Sequence, residues 1–271
     1  MSMYRLLAID LDGTLLTPRP EKIITPRTRS ALQQAIDAGV RVVIATGQNL
    51  AVLQHTCKDL PLTGPQIIEN GAVIADIQTG HFYHEQLLPE IYILPVLKTL
   101  QQAGFHRAYH TRQHVYADQD APRVRQWYDP QVPSVIEIED VANLYPEPCI
   151  KVVGIGEESK LRAQRQKLID TFDGQLYVTQ SSFDLLEFLH PAVSKEQGLK
   201  TLAHDLGIQR AEIVAIGDQH NDIGMLQFAG LGVAMGNAHE EVQNAARHVT
   251  RSNAEEGVAV VIEEVILPAL K

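Results

Sequence analysis

The chain is short of the residues that mark secreted, membrane-spanning and nucleic-acid-binding proteins. Only two of its 271 residues are cysteine, Cys57 and Cys149. They lie far apart and show no metal-binding spacing, which excludes a disulfide framework and fits a reducing compartment. Basic residues are in deficit, with 23 Lys and Arg against 33 Asp and Glu and a net charge of -10. That excludes a broad basic face for nucleic acid. Long apolar runs are missing too. "GVAVVIEEVILPAL" is broken by Glu263 and Glu264 and is too short to span a bilayer. No basic stretch leading into an apolar one opens the chain, so no signal peptide is expected. The one tryptophan, Trp127, is expected to be partly buried. These absences predict a soluble cytoplasmic protein, a monomer or small homo-oligomer, with no nucleic-acid and no membrane partner.

What is present is a 45% hydrophobic chain in which short apolar runs alternate with helical patterns. "YRLLAID" and "VRVVIATG" read as strands. "TPRTRSALQQAIDAG" between them reads as a helix with Thr25 as its cap, Pro26 at its first position and Gly39 at its end. "PQIIENGAVIAD" is extended, broken by a turn at Asn70-Gly71. This alternation predicts a parallel sheet covered by helices. The middle changes character: a helix in "EIYILPVLKTLQQAG", a hairpin in "HRAYHTRQHVYAD", a strand in "CIKVVGIG", a charged helix and a second hairpin ending in "FDLLEFLHP". Hairpins imply an antiparallel sheet. After residue 189 the first pattern returns, with a strand "EIVAIGD" that ends on an acid as the first one did. The predicted architecture is α/β: a Rossmann-like parallel-sheet core from residues 1–82 and 190–271, with an inserted α+β unit at 83–189.

Ligands of open parallel sheets sit beyond the carboxyl ends of the strands. Four such ends carry polar groups here: Asp10 with Asp12, Thr46, Asn70 and Asp218. Asp10 and Asp218 on neighbouring strands would repel unless a hard cation joined them, and oxygen ligands suit Mg2+ with a substrate phosphate. In that setting Asp10 is a candidate nucleophile and Asp12 a candidate acid and base. Gly13 permits a tight turn, Thr46 offers a hydroxyl, and Lys195 offers a point charge to phosphoryl oxygens.

"DLDGT" at 10–14, "ATG" at 45–47, "SK" at 194–195 and "GDQHNDIGML" at 217–226 resemble the four motifs of the haloacid dehalogenase-like phosphatases, in order. The large insertion between the second and third motifs resembles the Cof-type subfamily, whose inserted cap runs α-β-β-α-β-α-β-β. The resemblance implies Asp10 as nucleophile and Asp12 as general acid and base. It implies Mg2+ held by Asp10, the backbone carbonyl of Asp12 and Asp218, with Asp222 as a supporting acid. It places Thr46, Gly47, Lys195 and Asn221 at the phosphate. Gln48 stands where the subfamily usually has Arg, and with Asn70 is expected beside the substrate. The implied activity is a Mg2+-dependent phosphatase acting on small phosphorylated metabolites, either sugar phosphates or cofactor phosphates, through an aspartyl phosphate. Two alternatives stand beside it: a phosphomutase of the phosphomannomutase type, and a catalytically silent phospholigand-binding protein.

Each motif also has a plainer reading. Asp10 and Asp12 alone are equally a turn-and-cap pair. Lys195 alone is a solvated residue at a helix start. Asn221 and Asp222 suit helix capping, and Asn70-Gly71 suits a simple turn. His110 and His114 have the spacing of a helical zinc pair, but their segment reads as a surface hairpin.

Overall fold

The computed structural model describes residues 4–119, 135–182 and 184–270. The chain divides into two compact units, one of Met1–Gln48, Cys57–Tyr83 and Ser194–Lys271, the other of Asn49–Thr56 and His84–Val193.

In the first unit β1 (Leu6–Ile9) is buried along its whole length. An apolar run without alternation suits a strand covered on both faces. The chain leaves it through a wide turn over 11–15, in which the amides of Leu15 and Leu16 reach back to the carbonyls of Asp10 and Leu11. α1 (Pro26–Asp37) starts with the Thr25 hydroxyl accepting the Thr28 amide and with proline in its first turn. β2 (Arg41–Ile44) pairs parallel with β1. α2 (Leu50–Thr56) clusters with the second unit. β3 (Pro65–Ile68) and β4 (Val73–Asp76) form an antiparallel hairpin, and a parallel bridge from Ile67 to Ala45 ties it to the end of β2. β5 (Phe82–Glu85) adds a third strand to this hairpin.

The second unit contains α3 (Glu90–Gln102), β6 (His106–His110), β7 (Val115–Asp118), β8 (Val135–Ile138), β9 (Lys151–Ile155), α4 (Glu158–Thr171), β10 (Tyr177–Ser182) and β11 (Leu185–Leu189). Its sheet runs β10-β11-β9-β6-β7-β8, antiparallel except between β7 and β8. Apolar residues of α3 and α4 pack on Tyr109, Val152, Leu186 and Phe188. His110 ends β6 and Val115 opens β7, so His110 and His114 flank a hairpin turn. β8 is absent from the sequence reading, because four residues paired on one side carry little pattern. The resemblance implies a further helix after the first hairpin of this unit; residues 120–134, Trp127 among them, lie outside those described.

The chain then completes the first sheet with α5 (Lys195–Asp205), β12 (Ile213–Gly217), α6 (Ile223–Phe228), β13 (Leu231–Ala234), α7 (Glu240–Ala245), β14 (His248–Val249) and α8 (Gly257–Val261). The strand order is β14-β13-β12-β1-β2, parallel throughout. Leu6, Ala8 and Ala215 share an apolar cluster with Leu199, Leu202, Met225 and Leu226 from α5 and α6. β14 at the edge is two residues long and exposed, a common way of blunting an edge strand. Among the described residues no helix is long and apolar enough to cross a membrane.

Gly71 decides how close α5 comes to the β3–β4 hairpin. Its φ is +92°, and a Cβ there would run into the carbonyl of Ser194, the residue that caps α5. Gly39 has nearly the same conformation, φ +90°, with open space around it. Gly39→Ala should therefore cost about 1–2 kcal/mol of stability, the left-handed backbone penalty alone. Gly71→Ala should cost roughly 1–3 kcal/mol more, because backbone must also move. Equal shifts in the two denaturation midpoints would show that contact with α5 is unimportant.

Candidate active site

β1 lies between β12 and β2; the chain runs from β1 to β2 on one side and from β12 to β13 on the other. Such a switch point is where parallel sheets open a crevice at their carboxyl edge. Ile9 is level with Ile216, and the Asp10 amide donates to the Ile216 carbonyl at 2.9 Å. Asp10 and Asp218 therefore leave adjacent strands at the same edge. Both are buried, as is Asp222, and carboxylate oxygens of the three lie within 4.8 Å of one another. Gly13, at φ +85°, allows the turn after β1 to pass over Asp218; a Cβ there would strike its carboxylate. Thr14 donates its hydroxyl to Asp218 Oδ1 at 2.8 Å, and Gln219 Nε2 donates to Oδ2 at 3.1 Å.

Lys195 opens α5 under the Ser194 cap, whose hydroxyl accepts the Gln197 amide. Its ammonium is 1% exposed and lies 2.5 Å from Asp10 Oδ1 and 2.7 Å from Asp222 Oδ1. Asp222 Oδ2 accepts the amides of Asp218 and Gln219 at 3.0 and 2.9 Å. Asp222 thus caps its own turn and anchors Lys195 at once, with both oxygens engaged.

Three buried carboxylates surround one ammonium. Burial lifts the Asp10 carboxyl well above its ordinary range, opposed by Lys195 and reinforced by Asp222 and Asp218. Burial, with Asp222 beside it, lifts Asp218 to about 6. Burial alone would lower Lys195, yet the attraction of Asp10 and Asp222 outweighs it and leaves the ammonium raised. If all four groups are ionised, two negative charges remain over. An all-oxygen donor set of that charge fits a hard divalent cation such as Mg2+.

Thr46, Gly47, Gln48 and Asn70 gather around the end of β2. The Thr46 amide donates to the Ile67 carbonyl, and the Thr46 carbonyl accepts from the Asn70 amide, both at 2.9 Å. The Thr46 hydroxyl accepts the Gln48 amide at 3.1 Å. Gly47 sits against Asn70; a Cβ there would be 3.1 Å from its side-chain nitrogen. Asn70 is fully buried at φ +56° and accepts from Asn221 Nδ2 at 2.9 Å. The buried Asn221 Oδ1 has no hydrogen-bond partner among the described residues, a gap that a water or ligand donor would fill. Asp12 has other partners: Gln48 Nε2 donates to its Oδ2 at 2.9 Å, and Lys22 Nζ lies 2.5 Å from its Oδ1.

Sequence reasoning missed four residues of this arrangement. Thr14 lay inside a recognised motif but had no assigned task. Lys22 lies in an irregular loop with no periodic signal. Asn237 Nδ2 donates to the Gly13 carbonyl and Asn253 Nδ2 to the Leu16 carbonyl, bracing the turn after β1. Both come from more than 220 residues away, and only a long-range contact reveals them.

Residues 7–262 match a family described as haloacid dehalogenase-like hydrolase. The Bacillus subtilis protein YxeH is 34% identical over 98% of this chain and 99% of its own. The 5-amino-6-(5-phospho-D-ribitylamino)uracil phosphatase YcsE of Bacillus subtilis is 30% identical over 97% of this chain and 96% of its own. Among solved structures, a haloacid dehalogenase-like hydrolase from Bacteroides thetaiotaomicron superposes with a TM-score of 0.84 at 28% identity, covering 97% of this chain and 99% of that one.

A carboxyl raised on folding favours the native state below its unfolded value, near 3.8, and loses that contribution as pH rises through its folded value, near 6 for Asp218. At pH 8 the charge of Asp218 is therefore a burden on the metal-free protein. Asp218→Asn should raise metal-free stability at pH 8 by on the order of 2 kcal/mol, with the gain shrinking towards pH 4. Thermal melts at both pH values check this, and an equal or opposite change at the two would contradict it.

Proposed function

The chain belongs to the haloacid dehalogenase-like hydrolase family, and we propose that it is a Mg2+-dependent phosphatase of small phosphorylated metabolites. One observation carries this reading: a buried Asp10 that touches a buried ammonium and shares the carboxyl edge of the sheet with Asp218. A carboxylate so placed is desolvated and aimed, as a nucleophile needs to be. The name of YcsE, a phosphatase of a phosphorylated ribityl compound, supports a sugar-phosphate or cofactor-precursor substrate.

In the proposed reaction an Asp10 oxygen attacks phosphorus and the ester oxygen departs with a proton from Asp12. Water then attacks the aspartyl phosphate, giving its proton to Asp12, and inorganic phosphate leaves as Asp10 is restored. Lys195 steadies Asp10 and stabilises charge on the transferring group, while Thr46, Gly47 and Asn221 orient its oxygens. Asp222 holds Lys195 in place. Asp10, Asp218 and the Asp12 carbonyl would hold Mg2+, which when bound supplies Lewis-acid charge to the phosphoryl oxygens.

A phosphate-release screen over sugar phosphates, nucleotides and cofactor phosphates with Mg2+ tests the reading. Asp10→Asn should lower turnover by more than about 10³-fold in a protein that still folds. A folded Asp10→Asn protein of near-normal activity would sink the mechanism, and conversion to a sugar-phosphate isomer without phosphate release would mark a mutase.

EDTA should abolish turnover and Mg2+ should restore it. Ca2+ should restore it poorly, because its larger, looser shell misplaces the reacting oxygens. Undiminished turnover in EDTA after dialysis would remove the metal from the reaction.

A further inference from the structure

Lys22 belongs to no motif, yet it makes the shortest contact to Asp12. It lies in a loop closed on itself: the Thr17 amide donates to the Ile23 carbonyl, and the Ile23 amide to the Thr17 hydroxyl, both at 3.0 Å. Its φ is +45°, a left-handed conformation that costs a side-chain-bearing residue about 1–2 kcal/mol and that glycine adopts freely. The Lys22 and Asp12 side chains are 33% and 36% exposed. Ion pairs of that exposure add little to stability. Fold stability therefore explains neither the strained backbone nor the lysine on it. Strain of this kind gathers at functional sites.

The contacts of Asp12 suggest the function. Its two oxygens are held by different donors, Lys22 on Oδ1 and Gln48 on Oδ2. Gln48 gives a neutral hydrogen bond, and Lys22 brings a cation to the same carboxylate from another part of the chain. We propose that Lys22 is a positioning residue for the acid–base step, holding Asp12 with Gln48 and stabilising the negative charge left on it when its proton goes to the leaving oxygen. This rests on the phosphatase reading above. In the first half-reaction the Asp10–phosphorus bond forms, the phosphorus–ester oxygen bond breaks, and the proton moves from Asp12 to the ester oxygen. As charge develops on the Asp12 carboxylate, the contact to Lys22 changes from a hydrogen bond on a neutral acid to an ion pair, and the Coulomb attraction grows with it. An interaction that strengthens along the reaction lowers its barrier. The same two donors then hold the carboxylate ready to accept a proton from water.

The benefit depends on the leaving group. A poor one needs its proton early, whereas a nitrophenolate departs with little help. Kinetics on a series of substituted phenyl phosphates, with Mg2+ present, tests this for wild type, Lys22→Ala, Lys22→Gly and Lys22→Arg. Lys22→Ala should lower kcat/KM roughly 10- to 100-fold for the poorest leaving groups, the value of one charged hydrogen bond, and only a few-fold for p-nitrophenyl phosphate. The slope against leaving-group pKa steepens, and Lys22→Arg recovers most of it. Lys22→Gly should show the same kinetic defect with an unchanged or higher melting temperature, since it relieves the backbone while losing the ammonium. A merely structural lysine would lower stability and depress all substrates alike. Parallel lines for wild type and Lys22→Gly, with an active wild type, overturn the role of Lys22 alone. A wild type that releases phosphate from none of the series overturns the phosphatase reading and this inference together.

Discussion

The buried carboxylates at the carboxyl edge of the sheet are arranged around one buried ammonium. Taking a lysine out of water is costly unless its charge is met by close partners, and Lys195 meets two carboxylates from different strands. Asp10 comes from the end of β1 and Asp222 from the turn after β12, so the contact pins α5 across both. Other features make this possible. Gly71 lets the start of α5 approach the hairpin, Ser194 caps the helix, and the amides of Asp218 and Gln219 fix Asp222. The same contact that closes the fold holds Asp10 in one orientation.

The site gathers three carboxyls around one ammonium, and burial makes both Asp10 and Asp218 resist ionisation. Such a group of carboxylates is poorly satisfied by protein alone and well satisfied by a divalent cation and its oxygen ligands. Function and stability pull against each other here, as they do wherever a site is built to receive charge. Asp12 is the exception. Its side chain is partly exposed and held by two donors, Lys22 and Gln48, an environment that suits the proton exchange proposed for it.

Much of this was legible in the sequence because the informative features are local. The β1 run, the Thr25–Pro26 helix start and the hairpin turn at 110–115 each declare themselves within a few residues. The acids at the ends of "LLAID" and "VAIGD" announce a shared edge once the strands are taken as parallel neighbours. What was hidden depends on distance or irregularity. β8 pairs on one side only and has no period to read. Lys22 sits in a loop whose conformation follows from backbone closure, not from pattern. Asn237 and Asn253 act on a turn more than 220 residues earlier. The turn residue Asn70 turned out to be buried as well as bent, and its side chain meets Asn221, which the turn chemistry alone does not foretell.

The position of β1 in the sheet carries a consequence for how the protein comes into being. β1 is among the first segments synthesised, yet one of its two neighbours, β12, begins only at Ile213. Until then a wholly apolar strand has an unpaired side, and the inserted unit can fold while it waits. Pairings of such long sequence separation are slow to form and leave sticky edges exposed in the meantime. The buried carboxylates come together last, when the final third of the chain arrives. A polypeptide stalled between Val193 and Asp218 would therefore hold a complete inserted unit and an unfinished parallel sheet, with the cluster of Asp10, Asp218 and Asp222 still unmade.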